Sequence, residues 1–466
     1  MIKDKPTDRG IPPTNDVPQS RSQNDISKKT FPKEERITHN NREAIYKNEW
    51  ERVTFDDAPL EIIDGDRGLN YPKQHDFKAN GYCLFLNAGN VTEEGFNFSS
   101  CSFISKERDK LMRKGKLSIG DLVLTTRGTI GNVAIFNNSV QFDNIRINSG
   151  MVLLRSDTYK LLPTFLYYSL KSQFCRNQMN ALITGSAQPQ LPIQDIRKLK
   201  IYLPPLSEQL LITHFLGFFD KKIKLNQKMN KTLEAIAQAI FKHWFIDFEF
   251  PNEEGKPYKS SGGEMVESDL GLIPKNWCIK KLDNVANFLN GLALQKYPAT
   301  SEKDYLPVIK IKEIHSGISD SSDKASGDIP PEYIVNDGDV LFAWSGSLGI
   351  SIWCNGEGAL NQHIFKVTSD EYPKWFYYEW LLHYLPGFKE VAKDKATTMG
   401  HIQRHHLSES LVIVPDSNTL NIMNNIFKHL INRIINLKVE SKTLKDTRDL
   451  LLPKLISGKI RVPLED

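Results

Sequence analysis

From about residue 45 onward, apolar and polar positions follow one plan, and they follow it twice. Each copy opens with short apolar runs separated by Gly- and Asn-rich turns, such as residues 122–124, 133–136, 151–154 and 340–343, which predict strands. A Pro-containing turn follows, Pro204-Pro205 in one copy and Pro415-Asp416 in the other. Then the period changes. Ile212, Leu216, Phe219, Ile223, Asn226, Asn230, Leu233, Ala237, Ile240 and Trp244 recur at alternating spacings of four and three. Met423, Phe427, Leu430, Ile434, Leu437, Ser441, Leu444, Arg448, Leu451 and Leu455 do the same in the second copy. A sustained period near 3.5 is the mark of a helix that packs against another helix along a seam. Ser207 and Asn418 are the expected N-caps. Asn226, Asn230 and Ser441 are polar seam positions, which either fix the register or are tolerated at a wet seam.

The separation between copies carries information of its own. Trp277 follows Trp50 by 227 residues (277 − 50), and Gly338-Asp339 follows Gly120-Asp121 by 218 (338 − 120). Gly346 and Gly349 answer Gly128 and Gly131 at that same spacing. From Phe165 and Phe376 the separation settles at 211 (376 − 165), and it holds through Pro204 and Pro415 to Leu233 and Leu444. Globular loops drift in length; the helical parts do not. The expected division is a polar N-terminal tail over 1–44, a first domain over 45–205 and a long helix over 206–245. A linker over 246–275, Gly- and Ser-rich in composition, leads to a second domain over 276–415. A second long helix over 416–457 and a short tail over 458–466 complete the chain. Residues 1–44 are too polar to bury a core, so a flexible segment is expected.

Composition narrows the class without naming it. Of 466 residues, 40% are hydrophobic and 25% charged, which is globular usage for more than one domain. No apolar run approaches the length of a membrane span. Met1-Ile2-Lys3-Asp4-Lys5 lacks the apolar core of a secretion signal, and the five cysteines are widely spaced. A cytoplasmic protein with free thiols and no zinc site is expected. The net charge of +4 is compatible with a nucleic-acid partner but does not demand one.

Catalytic patterns are missing. There is no G-x-x-x-x-G-K-[ST] phosphate loop. Asp328-Ile-Pro-Pro-Glu-Tyr333 has residues inserted on both sides of Pro-Pro, so it does not match the turn that holds a flipped base in amino-methyltransferases, and reads as a Pro turn. Pro415-Asp416 and Glu440-Ser441-Lys442 imitate a nuclease motif, yet Glu440 falls in the middle of a helix. His401, His405 and His406 lack an adjacent catalytic Glu, and read as solvated or ligand-facing side chains. The expectation is no catalytic residue and no metal site on this chain.

Several strings, in order and on a duplicated chain, resemble the specificity subunits of Type I restriction–modification systems. They are Leu203-Pro-Pro-Leu-Ser-Glu-Gln209, Phe241-Lys-His-Trp-Phe-Ile-Asp-Phe-Glu-Phe-Pro251, Gly271-Leu-Ile-Pro-Lys-Asn-Trp277, Thr184-Gly-Ser-Ala-Gln188, Leu360-Asn-Gln-His363 and Leu452-Pro-Lys-Leu-Ile-Ser-Gly458. The likeness spans about residues 45–460. Copy two departs from it at Pro415-Asp-Ser-Asn and Thr397-Thr-Met-Gly. The resemblance implies an α+β fold with two similar target-recognition domains, each followed by a long helix. The two helices would pack as an antiparallel coiled coil with pseudo-two-fold symmetry. It also implies double-stranded DNA as ligand, with two modification (methyltransferase) subunits and two restriction subunits as partners. S-adenosylmethionine, ATP and Mg²⁺ would bind those partners and not this chain.

Reading a base edge needs side chains with matched donors and acceptors, and Arg, Lys, Asn and Gln match best. On Gly-rich turns of copy one the candidates are Arg127, Thr129, Ser186, Gln188 and Gln190. In copy two they are Ser345, Ser347, Asn361, Gln362, His401, Gln403 and Arg404. Each competes with a plainer role in a turn or cap. Trp344 reads as core and not as a base-stacking residue. Two other classes stay open from sequence: a fused restriction–modification enzyme with an unrecognised centre, and a coiled-coil scaffold that binds no DNA.

Overall fold

The computed structural model describes residues 50–185, 188–301, 303–394 and 400–463. The expected tail over 1–44, the candidate Ser186 and the segment 397–399 lie outside these residues.

The apolar runs become strands, and the two domains repeat one topology. In the first, an antiparallel sheet runs in the order Leu60–Asp64, Met151–Ser156, Leu122–Thr125, Val133–Ile135. In the second, the order is Asn287–Asn290, Ile364–Thr368, Val340–Ala343, Gly349–Ile352. The central strands Leu122–Thr125 and Val340–Ala343 are buried at every position, so they carry no alternation. A smaller sheet leans on each. It is built on a parallel pair, Cys83–Leu86 with Ile145–Ile147 in the first domain and Tyr305–Ile309 with Gly358–Leu360 in the second. A third pairing closes each domain by joining its start to its end: Glu51–Thr54 with Lys200–Leu203, and Cys278–Lys281 with Leu411–Val414.

That closure sets the chain at the foot of a long helix. The first runs Leu206–Phe241, 36 residues, and the second Ser417–Ile456, 40 residues. At 1.5 Å per residue each spans about 55–60 Å. Neither starts on the expected cap. Pro205 precedes the first helix, so Ser207 already lies within its first turn. Asp416 caps the second by accepting from the N–H groups of Asn418 and Thr419, so Asn418 is capped and does not cap. Gln209 fastens the first turn to its domain: its side chain accepts from Leu162 N–H (2.8 Å) and donates to the carbonyls of Lys160 and Pro204.

The helices run antiparallel. Arg461 meets Glu208, Arg448 meets Asp220, Lys438 meets Glu234 and Trp244 meets Phe427, so numbers rise on one helix as they fall on the other. Midway, Asn226 donates to Glu440 at 2.9 Å, and Glu440 is the counterpart of Met229 in the repeat. The pseudo-two-fold axis therefore crosses the coil there. Ile212, Leu216, Asn226, Asn230, Ile434 and Leu437 are buried; Phe219, Ile223, Leu233, Leu430, Leu444 and Leu451 are half-buried. Ser441 donates to its own helix at Leu437 O and does not reach across.

The ends of the seam do more than face each other. Ile212 and Leu216 from the first helix and Leu452, Leu455 and Ile456 from the second all enter the core of the first domain. Ala237, Phe241, Trp244 and Phe245 join Met423, Phe427, Ile431 and Ile434 in the core of the second. Each domain is thus completed by the far end of the other copy's helix. The connector over 246–275 is ordered on this plan. A π-turn, Lys242–Ile246, buries both Trp244 and Phe245, and Phe248 and Phe250 then pack on Trp277. A hairpin, Met265–Ser268 with Gly271–Pro274, leads into the second domain.

Candidate nucleic-acid interface

In each domain the central strand starts just after a glycine turn, Gly120 or Gly338, and runs about 13 Å over four residues. The candidate residues gather at the far end, where three loops meet. In the first domain, Thr126 and Arg127 both donate N–H to Gly150 O, Leu191 donates to Thr126 O, and Thr184 and Gln190 exchange two backbone bonds of 2.9 Å. Gly128, at φ +75°, lets the chain turn here without a Cβ clash. The second domain repeats the backbone pattern: Ile402 donates to Trp344 O, Gly346 to Gly400 O, and Ser345 pairs with His401 as Arg127 pairs with Gln190.

Side chains at these equivalent places differ. In the first domain Arg127 is exposed and its Nη2 donates to Gln190 Oε1 at 3.1 Å; Thr129 and Gln188 are exposed beside it. In the second, Ser347, Gln403 and Arg404 are exposed, and Gln362 and His401 half-buried. Arg404 bonds Phe288 O and lies 5.7 Å from the Phe365 ring centre, so its guanidinium is steered by an aromatic face. Two candidates face inward instead. Ser345 is 4% exposed with its Oγ 3.1 Å from His363 Nδ1, and Asn361 is 5% exposed with its Oδ1 accepting from His363 N–H. Their side chains build the turn; they do not present donors to a groove. Trp344 is half-buried, bonded to Asn290 and stacked on Phe365, in keeping with a packing role.

Asn361-Gln362-His363 has a counterpart that sequence reading missed. Asn148 Oδ1 accepts from Gly150 N–H, and the backbone of Asn148 presses on Gly65 as that of Asn361 presses on Gly291. A Cβ at Gly65 would come within 2.5 Å of Asn148 O, and one at Gly291 within 2.3 Å of Asn361 O, so both sites require glycine. Around Asn148-Ser149-Gly150 stand three exposed cations, Arg67, Arg113 and Lys114. Arg67 donates to Ser149 O. Asp66 ties the cations' loops together by accepting from Gly68 and Arg113 N–H. Burial alone would raise the Asp66 carboxyl, but those N–H groups outweigh it and hold it below the ordinary aspartate value. The run Arg113-Lys114-Gly115-Lys116 was the available signal.

Among the described residues no group of three His, Cys, Asp or Glu is arranged to hold a metal, and no helix is long and apolar enough to cross a membrane. The exposed polar tips and flanking cations form a surface suited to the groove edges and phosphates of a duplex.

Comparison with known proteins agrees with this geometry. Residues 48–235 and 274–445 match the family described as Type I restriction modification DNA specificity domain. The chain is 28% identical over 364 residues to the MjaIX specificity subunit of Methanocaldococcus jannaschii, covering 74% of this chain and 78% of that one. It is 23% identical over 462 residues to the HindI specificity subunit of Haemophilus influenzae, covering 85% and 98%. The crystal structure of a Type I S subunit from M. genitalium shares the fold, with TM-score 0.50 at 16% identity over 88% of this chain and 97% of that one. With both copies matched over most of their length, the chain belongs to the Type I restriction–modification DNA specificity family, as a specificity subunit.

Proposed function

We propose that the chain reads a two-part DNA target, one half with each domain, and passes that choice to methyltransferase and restriction subunits. The observation that carries the reading is the repeated three-loop frame bearing different side chains at equivalent points, Arg127 and Gln190 in one copy, Ser345 and His401 in the other. Two readers on a shared coil about 55–60 Å long leave base pairs between them unread. S-adenosylmethionine, ATP and Mg²⁺ belong in this reading to the partner subunits, and the isolated chain has no turnover.

The coil supports two copies of one partner. Its flank with Asp220 is taken by the first domain, where Tyr168 donates to Asp220 at 2.6 Å. The opposite flank carries Phe215, Phe218, Leu225 and Ile236 along one helical stripe, all exposed, Phe218 by 63%. In an antiparallel pair the symmetry axis keeps equivalent flanks on one side, which adds exposed Ile422, Ile426 and Leu450 from the second helix. Two related apolar patches on an otherwise polar coil suit two methyltransferase subunits docked symmetrically.

The test is co-expression with the cognate modification subunits and genome-wide mapping of methylated bases. A split motif is expected. Exchanging residues 276–415 for those of a relative should alter one half only; if both halves changed together, the modular reading would fall. Turnover by the purified chain, abolished by substituting one of its own residues, would overturn the non-catalytic assignment.

A further inference from the structure

We infer that Arg127 reads a guanine in the half-site bound by the first domain, with Gln190 as the residue that positions its guanidinium. The inference rests on the DNA-reading function proposed above and assigns a base chemistry to one side chain.

Arg127 is held at its backbone and open at its tip. Its N–H is bonded to Gly150 O at 3.2 Å, next to the Thr126 bond to the same oxygen. The Gln190 backbone is fixed by the paired 2.9 Å bonds with Thr184, which sets its side chain where Oε1 accepts from Arg127 Nη2. One bond to the Gln190 amide oxygen orients the guanidinium and leaves other N–H donors for a ligand. No carboxylate among the described residues lies within 4.0 Å of Arg127, whereas the less exposed Arg108, Lys116, Arg146 and Arg155 each have one. A planar two-donor edge at the tip of a reading domain matches O6 and N7 of guanine in the major groove.

A phosphate would also accept such a fork. The neighbours argue for the base. Arg67, Arg113 and Lys114 surround the adjacent Asn148–Gly150 turn and supply exposed charge for the backbone. Arg127 is bonded to the end of that turn at Gly150 O and is steered by an amide and not by a second charge. In the second domain the equivalent Ser345 faces inward onto His363, so the same readout has no equivalent there.

The test uses the chain reconstituted with its modification subunits and duplexes carrying the mapped target. The first-domain half-site is the half left unchanged by exchange of residues 276–415. Each of its base pairs is replaced in turn, and binding is compared with that of a scrambled duplex. One G·C pair should discriminate by roughly tenfold to a hundredfold in the parent protein. Arg127→Ala and Arg127→Lys should both flatten discrimination at that pair and leave the other half-site intact; the Lys variant keeps the charge and loses the fork. Gln190→Ala should flatten it in part. Lys114→Ala should weaken all duplexes alike. The inference is overturned if that half-site contains no guanine on either strand. It is overturned equally if Arg127→Ala weakens target and scrambled DNA by the same factor, or if Arg127→Lys discriminates as the parent does. A parent complex with no sequence preference at all would overturn the DNA-reading function itself.

Discussion

The two domains share a topology and differ in what fastens them. In the first, the joints are ionic. Arg146 is buried in the smaller sheet and bonds Asp109, with further bonds to the carbonyls of Lys114 and Met112. Where the domain meets the coil, Tyr168 and Arg448 share Asp220; at the chain's end, Arg461 bonds Glu208 and lies 4.4 Å over Trp50. In the second domain the counterparts are apolar or aromatic. Ala359 stands at the place of Arg146, Ile431 at that of Asp220, Ala237 at that of Arg448, and Phe250 at that of Arg461. Phe250 stacks on Trp277 at 4.7 Å as Arg461 does on Trp50, and Trp375 stacks on Phe427 at 4.2 Å. One joint is kept in kind: Asp121 with Arg155 becomes Asp339 with Lys366. The frame fixes where a joint must be, and either an ion pair or a pair of rings can make it.

Removing a joint in one copy should therefore spare the other. Arg146→Ala leaves Asp109 buried with only Lys116 beside it, and the loss should be about 3–5 kcal/mol in denaturant unfolding. Protection of the first half-site should disappear in footprinting while the second persists. Adding Asp109→Ala should recover part of the loss, because a buried pair replaced whole costs less than one broken. Equal loss of both half-sites would show that the domains do not stand apart.

The two clasps sharpen the contrast at lower cost. Phe250→Ala should destabilise by about 3–5 kcal/mol, chiefly as lost burial and cavity, with little response to salt. Arg461→Ala should cost about 1.5–3 kcal/mol, the range for hydrogen bonds to charged groups. The Coulombic part of that effect should shrink in high salt, though only modestly, because the Arg461 and Glu208 side chains are just 16% and 6% exposed. Denaturation of both variants at low and high salt checks this; identical salt responses would erase the distinction between the joints.

What the sequence disclosed follows from the same contrast. The seam was legible because helix packing imposes a period, and it was legible to its ends because a domain core asks for the same apolar positions as a partner helix. For that reason the period could not reveal that Leu455 serves the first domain's core and Trp244 the second's, and it passed over Leu452 and Phe241, one residue off the period, which are buried with them. Ser207 and Asn418 looked like caps by residue type, but the chain enters the helices at Pro205 and Asp416. The connector's Gly and Ser content suggested a linker, while Phe248 and Phe250 anchor its start on Trp277. At the proposed reading surface, Arg127 and Gln190 were named as candidates on Gly-rich turns and meet there side by side, while Ser345 and Asn361, also named, face inward. Arg67, Arg113 and Lys114 were not named, because bonds from Arg113 N–H to Asp66 and from Arg67 to Ser149 bring together loops that are distant along the chain.

The last expected effect depends on pH and concerns a joint that the second domain leaves uncompensated. Tyr168 donates to Asp220, but its counterpart Glu379 is 2% exposed and its Oε2 has no hydrogen-bond partner among the described residues. Burial, helped by the nearby charge of Glu234, pushes this carboxyl up to about 8 from an ordinary 4.5. Glu234 is itself paired with Lys438 at 2.9 Å, so that lysine does not neutralise Glu379. Between pH 4.5 and about 8 the folded chain keeps a proton that the unfolded chain has released. Stability from this group is therefore greatest in acid and is lost as pH rises through the window, by at most about 1.4 kcal/mol per unit. Glu379→Gln removes the titration. The variant should match the parent near pH 5 and exceed it progressively toward pH 8, and all other titrating groups cancel in the difference. Tyr168→Phe, by contrast, should cost about 1.5–3 kcal/mol, because it takes a hydroxyl donor from a charged acceptor. Urea unfolding of the parent and both variants at pH 5, 6.5 and 8 reads this directly. A constant gap between parent and Glu379→Gln, or a gap that widens toward acid, would show that Glu379 is ionised in the folded chain and that the second domain has a polar joint after all.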